Sequence, residues 1–165
     1  MLRRLSLRDF VIVPSLEVEF GPGFTVLTGE TGAGKSILID ALQLALGARG
    51  DALVVREGAP RAEIAAEFDA PPSLNPWLEE AGFESTGDML LLRRTIDAQG
   101  KSRAWINGSP ATVTQLREAA DALTFEVSGA SIPADETDLV LKAARCLERR
   151  VPQSRGRGAR LRLTK

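Results

Sequence analysis

Gly29-Glu30-Thr31-Gly32-Ala33-Gly34-Lys35-Ser36 fits the phosphate-loop pattern G-x-x-x-x-G-K-[S/T] without a mismatch. An apolar, β-rich run, Phe24-Thr25-Val26-Leu27-Thr28, leads in, and a helix-forming run from Ile37 to Leu46 leads out. Strand, glycine-rich loop and helix is the order in which backbone N–H groups turn inward and a helix N-terminus points at an anion. Gly29, Gly32 and Gly34 let the chain approach a phosphate more closely than a Cβ would permit. In this reading Glu30, Thr31 and Ala33 complete the nucleotide-binding loop, Lys35 reaches the β- and γ-phosphates of ATP, and Ser36 places a hydroxyl on Mg²⁺. The bland alternative is a chance glycine-rich turn before a core helix, and both flanks argue against it.

The motif does not by itself give hydrolysis. A phosphate-loop ATPase also needs a carboxylate at the end of an apolar strand to hold Mg²⁺, and a group to orient the attacking water. No run of four apolar residues in this chain ends in Asp-Glu. The sequence thus assigns no catalytic residue.

Outward from the motif, Leu2 to Phe10 reads as a strand with Leu5, Leu7 and Phe10 inward, broken by Pro14-Ser15. Leu16 to Phe20 alternates apolar and charged residues, which predicts a half-buried strand, and Gly21-Pro22-Gly23 is a turn. The helix after the motif is apolar nearly all round, so it belongs between layers, with Gly47 as its stop. Arg61 to Phe68 alternates again. Asn75-Pro76 opens a short helix with Asn75 as N-cap, and Trp77 and Leu78 pack inward before Gly82. Met89–Ile96 and Arg103–Asn107 form a hairpin, and Asn107-Gly108 is a second tight turn. Thr112 to Gln115 is a capping box opening a helix to about Leu123, after which Thr124 to Val127 reads as a strand. Residues 135–150 can be drawn as an amphipathic helix. There is no internal repeat.

Composition sets the outer bounds. A chain of 165 residues with 44% hydrophobic and 26% charged residues can bury one real core. It has no run of eighteen apolar residues and no signal-peptide pattern. A single cysteine, Cys146, excludes an internal disulfide, and the absence of His excludes His-based zinc sites and triads. A reducing, cytoplasmic setting follows. Seven of the 21 Lys and Arg residues lie in 149–165, a stretch without acids, leaving 14 basic against 22 acidic groups in the body. From Val151 onward Pro, Gly, Ser, Gln and Arg dominate, and such a tail cannot bury enough to order itself.

Residues 1–123 resemble the start of the RecN family of bacterial DNA repair proteins, relatives of the SMC (structural maintenance of chromosomes) ATPases. The likeness lies in Leu5-Ser6-Leu7-Arg8-Asp9-Phe10-Val11-Ile12-Val13, in Phe24 through Ile37, and in Leu46-Gly47-Ala48-Arg49. It continues in Val55-Arg56-Glu57-Gly58, Leu91-Leu92-Arg93-Arg94 and Ser102 through Gly108. SMC and RecF relatives more often carry Asn where this chain has Thr31. The resemblance implies an α/β fold, the N-terminal lobe of an ABC/SMC-type ATPase head, with a mixed sheet around the phosphate-loop helix. It implies ATP and Mg²⁺ as cofactors, and as partners a C-terminal ATPase lobe with the signature and Asp-Glu motifs, a second head, and DNA through the full-length assembly. No membrane is involved, and the setting is the bacterial cytoplasm, at the nucleoid. The expected division is a lobe over 1–129 and a divergent, poorly ordered basic tail over 130–165. Arg56, in a loop that comes near nucleotide or DNA in SMC-like heads, reads here as a solvated arginine.

Three readings stay open on sequence: an ATPase lobe incomplete alone, a nucleotide-regulated interaction module or another SMC/RecF-like fragment, and a nucleic-acid binder using its basic tail. The family has Gly-Gln-His after the last strand, whereas this chain has Ser128-Gly129-Ala130-Ser131. The sequence beyond Gly129 therefore reads as a shifted frame of a longer gene. Translating the other two frames downstream of the Gly129 codon is expected to restore Gln-His and a long heptad region. If neither frame does so, the shifted-frame reading is wrong.

Overall fold

A computed structural model describes the backbone of residues 1–21, 34–128 and 161–162, and the side chains of 1–21 and 36–123. Among the described residues, seven strands form one sheet: β1 (Leu2–Phe10), β2 (Val13–Glu19), β3 (Arg61–Asp69), β4 (Met89–Asp97), β5 (Ser102–Ile106), β6 (Ser109–Ala111) and β7 (Leu161–Arg162), in the order β6-β5-β4-β3-β1-β2-β7. Every described pair is antiparallel. Among the described residues there are three α-helices: α1 (Gly34–Ala45), α2 (Asn75–Glu80) and α3 (Val113–Ser128). The α/β architecture is the one expected, but the described sheet is antiparallel throughout and not the mixed sheet expected. The run 24–28 and the segment 135–150 lie outside the described residues.

Period-two alternation makes the sheet two-faced. Leu5, Leu7, Leu16, Val18, Ile64, Ala66, Phe68, Leu92 and Ile106 are buried on the helix-covered side. A register shift between Leu2 and Arg4 lets Leu2 and Leu5 both turn inward although they are three apart. The other face is charged. Arg4 lies within 3.4 Å of Glu17, 3.7 Å of Glu19 and 3.7 Å of Glu67 on the two flanking strands. Arg93 meets Glu63 at 2.7 Å and lies over the Trp105 ring, 5.0 Å from its centroid. These half-exposed pairs contribute little stability but fix register, since a one-residue slip would turn the charges into the core. The pairing of β7 with β2 sets Arg162 opposite Glu17 and Leu161 opposite Val18.

The helix signals act as expected in three places. Thr112 and Gln115 form the capping box: the Gln115 N–H donates to Thr112 Oγ1 (3.1 Å) and the Thr112 N–H to Gln115 Oε1 (2.9 Å). Gly47, at φ +93°, ends α1 with a paired hydrogen-bond motif, Gly47 N–H to the Leu44 carbonyl (3.1 Å) and Ala48 N–H to that of Gln43 (2.9 Å). Gly82 repeats this after α2, where Trp77 stacks on Phe83 with centroids 5.9 Å apart. Asn107 and Gly108 both take positive φ in the β5–β6 turn. The Asn107 side chain accepts from the Leu91 N–H (2.9 Å) and donates to the Glu84 carbonyl (2.7 Å).

Three expectations are corrected. Pro14-Ser15 does not break the first strand but lies inside β2; the ladder skips Pro14, which has no N–H, and Val11-Ile12 make the turn. Asn75 is not an N-cap. A 3-10 turn, Pro72–Leu74, runs directly into α2, so Asn75 is already helical and its Oδ1 accepts from Ser85 Oγ at 2.9 Å. Thr124 to Val127 are not a strand, because α3 continues through them to Ser128. Once the capping box nucleates the helix and Leu116, Ala119, Ala120 and Leu123 bury one face, extending it costs less than the β-propensity of Thr, Phe and Val can offset.

Gly47 is also a close-packing position. A Cβ there would lie 2.6 Å from Arg117 Cγ and 2.9 Å from the Val113 carbonyl oxygen. Gly47→Ala is expected to destabilise the chain by about 2 kcal/mol or more, from left-handed backbone strain and the collision with α3. Urea unfolding measures this, and an unchanged midpoint would contradict the packing described.

Candidate phosphate site at the start of helix α1

Of the eight motif residues, Gly29, Glu30, Thr31, Gly32 and Ala33 lie outside the described residues. Gly34 and Lys35 open α1, and Ser36 stands exposed in its first turn. The first four N–H groups of a helix have no partner within it, and they carry the positive end of the helix dipole. No acidic residue lies in the first turn of α1 to compete for that end. Asp40, one turn further on, is exposed.

Burial holds the helix body. Ile37, Leu38, Ala41, Leu42, Leu44, Ala45 and Leu46 are all buried, and the exposed strip is narrow: Ser36, Ile39 and Asp40. The hydrophobic effect itself is not directional. The far end of α1 supplies the directional contacts. Arg94 of β4 donates from Nε to Ser102 Oγ (2.9 Å) and from Nη1 to the Leu44 carbonyl (2.9 Å) and the Ala48 carbonyl. Arg117 of α3 donates from Nε to the Gly47 carbonyl at 2.7 Å. Two cations thus meet the negative end of the dipole, each by charge-assisted hydrogen bonds.

Arg94 is only 2% exposed, and no carboxylate pairs with it among the described residues. Burial first, and the Arg117 charge second, lower its pKa from the ordinary arginine value. An arginine still remains protonated, so carbonyl oxygens must satisfy the charge. Reading the sequence for motifs does not find this pair. The available signal is phase: Leu90, Leu92 and Ile96 alternate inward, and Arg94 occupies an inward position between them.

At the turn end of the sheet, Arg56 is not simply solvated. Its Nε lies 3.4 Å from Asp9 Oδ1, and its backbone N–H donates to the Asp9 carbonyl at 2.9 Å. The Val11 N–H donates to the Val54 carbonyl at 2.8 Å, so the β1–β2 turn is tied to the 3-10 turn Ala52–Val54.

A family profile described as an AAA domain matches residues 4–81, a span that contains the whole glycine-rich motif. The DNA repair protein RecN of Xylella fastidiosa is 50% identical over 131 residues, covering 78% of this chain and 23% of the relative. RecN of Bacillus subtilis is 44% identical over 121 residues, covering 72% of this chain and 21% of its own. A solved structure described as showing ATP-driven dimerization and DNA stimulated activation of SMC ATPases superposes with a TM-score of 0.60 at 26% identity, covering 73% of this chain and 78% of that one. This chain spans about a quarter of the length of the curated relatives it matches. By sequence and by fold, it belongs to the RecN family of DNA repair proteins, with the architecture of an SMC-type ATPase head.

Proposed function

We propose that this chain is the ATP-binding lobe of a RecN-type ATPase, catalytically incomplete alone. The observation that carries the reading is the position of Gly34-Lys35-Ser36 at the start of a buried helix whose first turn holds no acid. Gly29 through Ser36 would cradle the triphosphate, with Lys35 on the β- and γ-phosphates. The exposed Ser36 hydroxyl suits Mg²⁺ bound between protein and phosphate. Bound Mg²⁺ would neutralise phosphate charge; this chain's residues would orient the phosphates and hold them against backbone N–H groups.

The sequence offers no apolar strand ending in Asp-Glu. The Mg²⁺-binding carboxylates would come from a C-terminal ATPase lobe, and a second head would close over the nucleotide. The solved relative named above is described by its ATP-driven dimerization and DNA stimulated activation, which supports such a partner and a role on DNA. In that assembly the lobe would serve repair of DNA double-strand breaks, in the bacterial cytoplasm at the nucleoid. Among the described residues, no helix is long and apolar enough to cross a membrane.

The isolated chain is expected to bind MgATP weakly and to show no appreciable turnover. Lys35→Ala removes a charge-assisted contact of roughly 1.5–3 kcal/mol, which corresponds to about a ten- to hundredfold loss of affinity. Titration calorimetry reads it; equal affinity for both proteins contradicts the assignment of Lys35. Steady hydrolysis by pure wild type, abolished in Lys35→Ala, contradicts the incomplete-lobe reading.

A further inference from the structure

We propose that Arg94 and Arg117 are positioning residues for the phosphate end of α1, acting from its opposite end. The inference rests on the ATP-binding reading above. A slide of one residue along the axis is about 1.5 Å. Hydrogen bonds to phosphate tolerate only a few tenths of an ångström. The apolar face of α1, from Ile37 to Leu46, holds the helix against the sheet, and hydrogen bonds add a sharper axial constraint because they depend on distance and angle. Such directional bonds lie at the carbonyl end, and they come from two independent elements. Arg94 spans from Ser102 on β5 to the carbonyls of Leu44 and Ala48, which joins the sheet to the helix end. Arg117 joins α3 to the Gly47 carbonyl.

The close packing around this clamp is consistent with a fixed position. Gly47 has no room for a Cβ against Arg117, and at Gly50 a Cβ would lie 2.6 Å from Ile96 Cδ1 and 2.8 Å from Leu44 Cδ2. The clamp therefore has glycine on both sides of Ala48, and the chain end of α1 is pressed against β4 and α3. A guanidinium is required because its planar fork reaches several acceptors at once, which a lysine ammonium on a flexible stem does not reproduce.

The test compares wild type with Arg94→Gln, Arg94→Lys, Arg117→Gln and Arg117→Lys. Calorimetric titrations use MgATP and, separately, inorganic triphosphate with Mg²⁺, at a temperature where circular dichroism shows each protein fully folded. The expected result is about a tenfold loss of affinity in each Gln variant, equal for the two ligands, because the displaced element is the phosphate cradle. Each Lys variant should recover part of that loss. A merely structural role would lower the unfolding temperature and leave the affinity of the folded protein unchanged, and that result overturns the inference. If Arg94→Gln does not fold, Arg117→Gln decides alone, since Arg117 lies on the exposed side of α3. Wild type that binds neither ligand removes the ATP-binding reading and this inference with it. Wild-type binding with unaffected variants removes the inference alone.

Discussion

A charged guanidinium inside an apolar sheet face is costly unless every donor is used well, and Arg94 sits in such a face between Leu92 and Ile96. The cost is offset where the peptide carbonyls of α1 run out of helical partners. Each side solves the other's problem: the helix end needs donors and the buried cation needs acceptors. The sheet, the helix that carries the end of the glycine-rich motif, and α3 all meet at Leu44, Gly47 and Ala48. Substituting either class of group leaves a buried polar atom without a partner, a penalty of about 1–3 kcal/mol or more for a charge. Much of the arrangement of this lobe follows from that junction.

Local signals were legible in the sequence, and junctions between distant segments were not. The strands around Leu16–Phe20 and Arg61–Phe68 follow from alternation alone, because one face of each must be dry. The capping box at Thr112 and the stops at Gly47 and Gly82 follow from backbone chemistry confined to a few residues. Where local chemistry competes with context, context prevails. Pro14 is tolerated because the ladder skips its nitrogen, and Thr124 to Val127 join a helix already growing toward them. The strand Ser109–Ala111 is too short, and too interrupted by Pro110, to announce itself.

The same division applies to the candidate site. The glycine-rich motif is legible because its pattern lies in eight consecutive residues. The arginine clamp joins residues 50 and 70 positions apart, so neither its existence nor its relation to α1 can be inferred from spacing. What the sequence offered was an arginine at an inward position of an otherwise apolar strand. Such a residue must find carbonyls or carboxylates in the fold, and asking which ones leads to the end of α1. The chain spans about a quarter of the length of the curated relatives it matches.

The central claim is that the N-terminal turn of α1 receives phosphate. Hydrogen–deuterium exchange of the chain, with and without MgATP, tests it most directly. The account predicts slowed exchange at the first-turn amides of residues 34–36, whose N–H groups lack helical partners, and unchanged exchange along the β5–β6 edge. Saturating MgATP that leaves the first turn of α1 unprotected, or protects only a distant surface, would contradict it.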